Sequence, residues 1–187
     1  MKKSNTLIET TVSSVELVDG VLIKARRDVV RLPDGNESVR EWIDHPGASA
    51  VVPLFDDGST LLVRQFRYPP KREFLEVPAG KIDIAGESPE DVARRELEEE
   101  TGWRAGRLES LGSLYPCIGY SNEIIHFYVA HDLQPGTRAL SEGEFMENVR
   151  MPFTEAVSEA KAGKIIDMKS AVALMMAAAR LELGRIE

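Results

Sequence analysis

The order of segments along the chain predicts an α+β fold, a mixed β-sheet flanked by helices with a β segment at the N-terminus. Three observations lead there. β-rich runs precede, separate and follow the helical segments. They do so without a regular strand–helix repeat, which argues against a doubly wound parallel sheet. The 187 residues, 43% hydrophobic and 29% charged, suffice for the core of one compact domain with a small appendage.

Leu7–Ile23 mixes Val, Ile and Thr around an Asp19–Gly20 turn signal and reads as a hairpin or strand pair, and a second turn follows at Pro33–Asn36. Ser49–Phe55 and Thr60–Phe66 are strand-like runs on either side of Asp56-Asp57-Gly58, so they are expected to pair as antiparallel neighbours. Glu73–Val77 reads as a short strand, Pro78–Glu87 as a loop, and a helix begins after it. Arg107–Tyr115 and Ile124–Ala130 read as strands around an irregular Pro116–Glu123 connection. Thr154–Ala162 and Lys169–Leu183 read as helices stopped by Gly163 and Gly184. The break at His45-Pro46-Gly47 divides the chain into an N-terminal β segment, residues 1–45, and a main domain, residues 46–187.

Composition narrows the function classes. No apolar run approaches the roughly 20 residues that cross a bilayer, and Met1–Thr6 carries no hydrophobic signal region behind its lysines, so a soluble cytoplasmic protein without membrane partners is expected. Cys117 is the only cysteine, which rules out an intrachain disulfide and disfavours a thiolate zinc site. A formal net charge of −8 disfavours nucleic acid as a partner. A smaller polyanion would need divalent cations and locally placed arginines.

The segment Gly86-Glu87-Ser88-Pro89-Glu90-Asp91 is a strong helix start: Ser88 can cap free amides, Pro89 suits the first turn, and acids there complement the dipole. Gly102 ends the helix. Glu96, Glu99 and Glu100 lie three and four positions apart and share one face, while Val92, Ala93 and Leu97 can face the sheet. Carboxylates crowded this way repel each other by a few tenths of a kcal/mol per pair, roughly, unless cations neutralise them. Hard divalent ions accept such oxygen ligands and keep positions open for phosphate oxygens.

The wider pattern is more specific than an acidic helix. After Ala79-Gly80 comes Glu87, then after seven residues Arg95-Glu96, then Leu97, Glu98, Glu99-Glu100, Thr101 and Gly102-Trp103. This resembles the signature of the Nudix hydrolases. One departure is visible: six residues, Lys81–Gly86, separate Gly80 from Glu87 where the family pattern has five, and the extra residue is expected to bulge outward without disturbing the helix register. The resemblance implies an α/β/α sandwich. It also implies Mg²⁺, with Mn²⁺ as the alternative, held by Glu96, Glu100 and the carbonyl of Ala79. Glu99 would be a further ligand or an acceptor behind the ligands. Glu87 and Arg95 would brace loop to helix, with Glu87 also placed to touch an additional metal through water. The base that deprotonates the attacking water is expected on the later loop Ser141-Glu142-Gly143-Glu144, with Glu142 first and Glu144 as base or metal ligand instead.

Arg64-Gln65-Phe66-Arg67-Tyr68, Glu73–Gly80 and Gly119–Glu123 look like segments of the ADP-ribose and related sugar-nucleotide pyrophosphatases. The implied reaction is hydrolysis of the diphosphate bridge of a nucleoside diphosphate sugar, giving a nucleoside monophosphate and a sugar phosphate. The Arg64–Tyr68 and Gly119–Glu123 segments argue against a triphosphate or dinucleoside polyphosphate substrate, and the intact acidic set argues against a module that only senses nucleotides. Relatives acting on ADP-ribose place a proline about fifteen positions beyond the box; Ile118 stands there and Pro116 two positions earlier, so a broader range that includes GDP-mannose or ADP-glucose is expected. Arg67 would pair with a phosphate oxygen, and Glu76 and Gly80 would also contact substrate. Relatives of this type dimerise through an N-terminal β segment, which implies a homodimer. Trp42 would stack on the base or pack in a core. His45, His126 and His131 lack metal-ligand spacing and read as structural.

Overall fold

A computed structural model of the chain describes residues 7–183, which gather into two compact units: residues 7–46 with 117–123, and residues 47–116 with 124–183. Gly184, read as the stop of the last helix, lies outside the described residues, as do the first six. No described helix is long and apolar enough to cross a membrane.

The first unit is an antiparallel three-stranded sheet in the order β1 (Thr10–Asp19), β2 (Lys24–Arg31), β3 (Glu37–Ile43). The Asp19–Gly20 signal does open a hairpin, but its second strand lies beyond Ile23. Lys24–Arg31 is rich in charge and has little intrinsic strand character, so its partners on both sides make it a strand. Asp34 at the Pro33–Asn36 turn accepts from the Asn36 amide at 3.0 Å. The returning Cys117–Glu123 segment joins this unit: Asn122 Oδ1 accepts from the His45 amide at 2.7 Å, and the Ile43 amide donates to the Tyr120 carbonyl at 2.8 Å.

The second unit holds two larger sheets. One has the order β7 (Ala79–Lys81), β4 (Ala48–Pro53), β10 (Ile125–His131), β9 (Arg107–Leu114), with β4 and β10 parallel and the other pairs antiparallel. The other is antiparallel: β12 (Met146–Pro152), β5 (Ser59–Arg67), β6 (Arg72–Glu76). A short pair joins β8 (Trp103–Arg104) to β11 (Gln134–Pro135). The helices are α1 (Pro89–Thr101), α2 (Phe153–Lys161) and α3 (Met168–Leu183).

The expected pairing of Ser49–Phe55 with Thr60–Phe66 survives only as the single bridge Leu54–Thr60. Ala50, Val51 and Val52 are apolar on both faces, and such a strand belongs in the middle of a covered sheet, here between β7 and β10. Alternation then sorts the layers. Ala50 and Val52, with Phe127 and Val129 beside them in register, pack against Ala156, Val157, Ala173 and Leu174 of α2 and α3. Val51 and Ala130 point the other way and meet Ala93 and Leu97 of α1. Helices thus cover both faces of the mixed sheet, and α1 alone covers the face that leads to the acidic residues.

Leu97 is fully buried in the small cluster with Val51, Ala93 and Ala130. Leu97→Ala should lower unfolding free energy in urea by about 2–5 kcal/mol, whereas Ser88→Ala, which removes the cap of the same helix, should cost about 1 kcal/mol.

Candidate active site

Local chemistry fixes where α1 begins and ends. Ser88 caps it in a reciprocal box with Asp91: the Asp91 amide donates to Ser88 Oγ at 3.2 Å and the Ser88 amide to Asp91 Oδ2 at 3.2 Å. Gly102 terminates it at φ 80, a conformation that favours glycine. Ser49 on β4 donates to the Pro89 carbonyl at 2.6 Å and pins the helix start to the sheet. The longer box loop closes in an exposed turn, Glu87 amide to Ile84 carbonyl at 3.2 Å with Gly86 at φ 90, so the helix register is untouched.

The three box carboxylates do not share one open face. Glu99 keeps 38% of its side chain exposed, Glu96 is mostly covered, and Glu100 is 6% exposed with its Oε2 accepting from the Ala79 amide at 3.1 Å. Strand β7 closes over that flank. A Cβ on Gly80 would overlap the Glu96 carboxylate where it stands, so the missing side chain is what lets strand and carboxylate approach this closely. Burial pushes the Glu100 carboxyl up to about 8, helped by the neighbouring Glu96 charge and opposed by the Ala79 amide. Burial likewise raises Glu96, with Arg95 opposing it.

Arg95 sits at the centre of the acidic set. Its Nε is 3.0 Å from Glu87 Oε1, and its Nη1 lies 2.7 Å from Glu96 Oε1 and 3.1 Å from Glu99 Oε2. The guanidinium therefore ties the loop residue Glu87 to the helix and offsets the repulsion between two glutamates. Among the described residues no three His, Cys, Asp or Glu side chains converge as a ready metal cage. The donor set nevertheless suits a hard divalent cation: Glu96, Glu99 and Glu100 supply carboxylate oxygens, the Ala79 carbonyl belongs to the residue whose amide binds Glu100, and the raised pKa values of Glu96 and Glu100 mark a place where added positive charge is favourable.

The later acidic loop is tethered to this helix. The Gly136 amide donates to the Gly102 carbonyl at 2.8 Å and the Ala139 amide to the Glu99 carbonyl at 2.9 Å. Arg138 Nε donates to the Glu100 carbonyl at 2.7 Å and Nη2 to the Met146 carbonyl at 2.5 Å. A cation is thereby set on the carbonyl end of a helix that has no basic residue in its own last turn. The turn 141–144 follows directly. Glu142 and Glu144 are both exposed there, and the charge of Glu144 contributes to raising Glu96 and Glu100. Glu144 also lines an open cavity of about 660 Å³ with Arg64, Phe66, Glu73 and Phe145.

Glu76 and Arg67 form a further part of the site that the sequence reading treated as two separate contacts to substrate. Glu76 is 1% exposed. Arg67 Nε and Nη2 bind its two oxygens at 2.7 Å each, and Lys169 also reaches Oε2. Burial works against the Glu76 charge, but the two cations outweigh it and hold the carboxyl below its ordinary value. Glu76 is thus turned toward protein cations, and Arg67 is the member of the pair with exposed surface. Sequence reasoning missed Lys169, Asp167 and Ser170, taking Lys169 only as the start of a helix. The signal available was an Asp just before that start, a capping pattern: the Ser170 amide donates to Asp167 Oδ2 at 3.1 Å. Trp42 lies in β3 of the other unit, half-buried, with its indole N–H donating to Asp28 at 3.0 Å.

The sequence matches the NUDIX domain over residues 44–172 and the nucleoside diphosphate sugar hydrolase N-terminal domain over residues 9–43. It is 38% identical over 170 residues to the ADP-ribose pyrophosphatase of Bacillus subtilis (strain 168), spanning 90% of this chain and 91% of that protein. It is 37% identical over 152 residues to a GDP-mannose pyrophosphatase of Yersinia enterocolitica, spanning 75% and 78% respectively. A solved structure of an ADP compounds hydrolase shares the fold, with a TM-score of 0.83 over 96% of this chain and 97% of that one at 24% identity. With an acidic box helix seated as the signature requires and a domain match over most of its length, the chain belongs to the Nudix hydrolases.

Proposed function

We propose that the protein hydrolyses the diphosphate bridge of nucleoside diphosphate sugars, ADP-ribose among them, releasing a nucleoside monophosphate and a sugar phosphate. The observation that carries this reading is the crowding of Glu96 and Glu100 against Gly80 and Ala79, a built site for positive charge beside an arginine suited to phosphate. Relatives named for ADP-ribose and for GDP-mannose support the substrate class and a range wider than one sugar.

Glu96, Glu100 and the Ala79 carbonyl would hold Mg²⁺ or Mn²⁺, with Glu99 and Glu87 as further oxygen donors. When bound, the cation supplies Lewis-acid stabilisation of the charge that develops on the phosphate oxygens. The chain's own groups do the rest. Arg67 orients a phosphate through the N–H groups that Glu76 leaves free, and Arg95 keeps Glu87, Glu96 and Glu99 in register. A carboxylate of the 141–144 loop takes the proton of the attacking water. Glu142 is the first candidate, with Glu144 on the same turn as base or metal ligand instead, its charge being felt at Glu96 and Glu100.

The N-terminal unit, residues 1–45, is proposed to form a homodimer. Val12, Val15, Leu17, Val18 and Val39 of its sheet are about half exposed, an apolar surface of the kind that recruits a partner. Trp42 remains a candidate to stack on a base.

Four outcomes are expected. Glu100→Gln should abolish most turnover without loss of thermal stability, because it removes a ligand and also a buried charge that opposes folding; near-parental activity would remove α1 from the mechanism. In titrations of turnover against Mg²⁺, Glu96→Gln should recover part of its activity at high metal. Replacement of the base, Glu144→Gln or Glu142→Gln, should slow the chemical step by about 10²–10⁴-fold with no such recovery. Deletion of residues 1–42 should give monomers in sedimentation, with weakened substrate affinity and a retained metal site; a full-length protein that is monomeric and fully active excludes the dimer.

A further inference from the structure

Arg67 meets Glu76 side-on. Nε and Nη2 are each 2.7 Å from a carboxylate oxygen, which commits one edge of the guanidinium and leaves the Nη1 edge without a role in the pair. The side chain is 44% exposed, while Glu76 beneath it is 1% exposed. Arg67 also feels the charge of Glu100, so the exposed guanidinium stands within electrostatic reach of the acidic helix.

What fixes Glu76 lies on α3. Lys169 binds Glu76 Oε2, the oxygen that Arg67 Nη2 also uses, and reaches Asp167 Oδ2 at 2.8 Å. Asp167 accepts from Ser170 Oγ at 2.5 Å, and that hydroxyl accepts from the Val77 amide at 2.8 Å, one residue beyond Glu76. The start of α3 and the end of β6 are therefore bolted together, and α3 is anchored in the core through Ala173 and Leu174. Lys169 itself is 17% exposed with its ammonium turned inward, and its stem borders a small apolar cavity of about 90 Å³ that includes Phe127 and Met168.

We propose that Lys169 and Glu76 are positioning residues for Arg67: Lys169 locks the Glu76 carboxylate, and Glu76 holds one edge of the guanidinium so that the other edge faces a phosphate of the substrate. The inference rests on the reading that Arg67 meets the diphosphate. Four side chains are involved, Arg67, Lys169, Glu76 and Asp167, with two charges of each sign. The cluster is neutral as a whole, so it does not repel a polyanion despite its two carboxylates. Lys169 acts through Arg67 and does not touch substrate.

The test is a double-mutant cycle on the Mg²⁺-loaded full-length protein with ADP-ribose, reading KM, kcat and thermal midpoint. Lys169→Met, whose apolar stem suits the adjoining cavity, should raise KM about tenfold and leave kcat within about twofold, since preorganised binding is lost and the chemistry is not. Arg67→Ala should raise KM at least as much, and the combined variant should be no worse than Arg67→Ala alone. Parental KM in Lys169→Met beside an impaired Arg67→Ala, or multiplying effects in the combined variant, would overturn the positioning role. Parental KM in Arg67→Ala would instead overturn the phosphate contact and the inference with it. If Lys169→Met fails to fold because Asp167 loses its cation and buried Glu76 keeps only Arg67, Glu76→Gln/Lys169→Met removes one charge of each sign and is read in its place. It should show the same rise in KM with kcat retained, and a parental KM there would also overturn the proposal.

Discussion

Two glutamates of like charge, Glu96 and Glu100, stand one helical turn apart and are pressed against strand β7, and the surrounding residues answer that repulsion. Arg95 takes an oxygen of Glu96, the Ala79 amide takes one of Glu100, and Lys169 lowers the Glu100 carboxyl from across the sheet. These contacts do not cancel the cost, since burial still lifts Glu100 to about 8. A site left with unmet negative charge is a site prepared for cations and, through them, for phosphate oxygens.

The rest of the main unit is arranged so that this strain is held in place. The inner face of α1 is small and apolar, Ala93 and Leu97 against Val51 and Ala130, which brings the helix close to the sheet and its acidic flank onto β7. Ser49 pins the first turn and Arg138 the last. The Arg138 contact does a second job. By tying residues 136–139 to the carbonyl end of α1, it delivers the turn 141–144 to the neighbourhood of the box, with Glu142 exposed and the exposed Glu144 carboxylate accepting from the Ser141 amide at 3.0 Å.

The cluster around Arg67 is built on a different principle. Around Arg67 each anion has its cation: Glu76 with Arg67 and Lys169, Asp167 with Lys169. Such a cluster contributes little net stability, because desolvation offsets most of the attraction, but it gives its members one geometry. The carboxylates of α1 are thus left electrostatically unsatisfied, whereas the cluster around Arg67 is satisfied.

The box helix was legible in the sequence from its caps to its glycine stop, because capping, helical period and the dipole are local effects that depend on residues only a few positions apart. The brace between Glu87 and Arg95 was legible only through the resemblance to the Nudix signature, since it links a loop to the helix across eight positions. Tertiary structure decided the rest. That β4 sits between β7 and β10 and not beside β5 depends on burial of both its faces, which no hairpin signal encodes. That Glu100 is buried while Glu99 is exposed depends on β7 covering one flank of a helix that looks uniformly acidic in one dimension. And Lys169 reaches Glu76 across 93 positions of sequence, a distance over which only the packing of α3 on the sheet, and no local propensity, can bring a cation to a buried carboxylate.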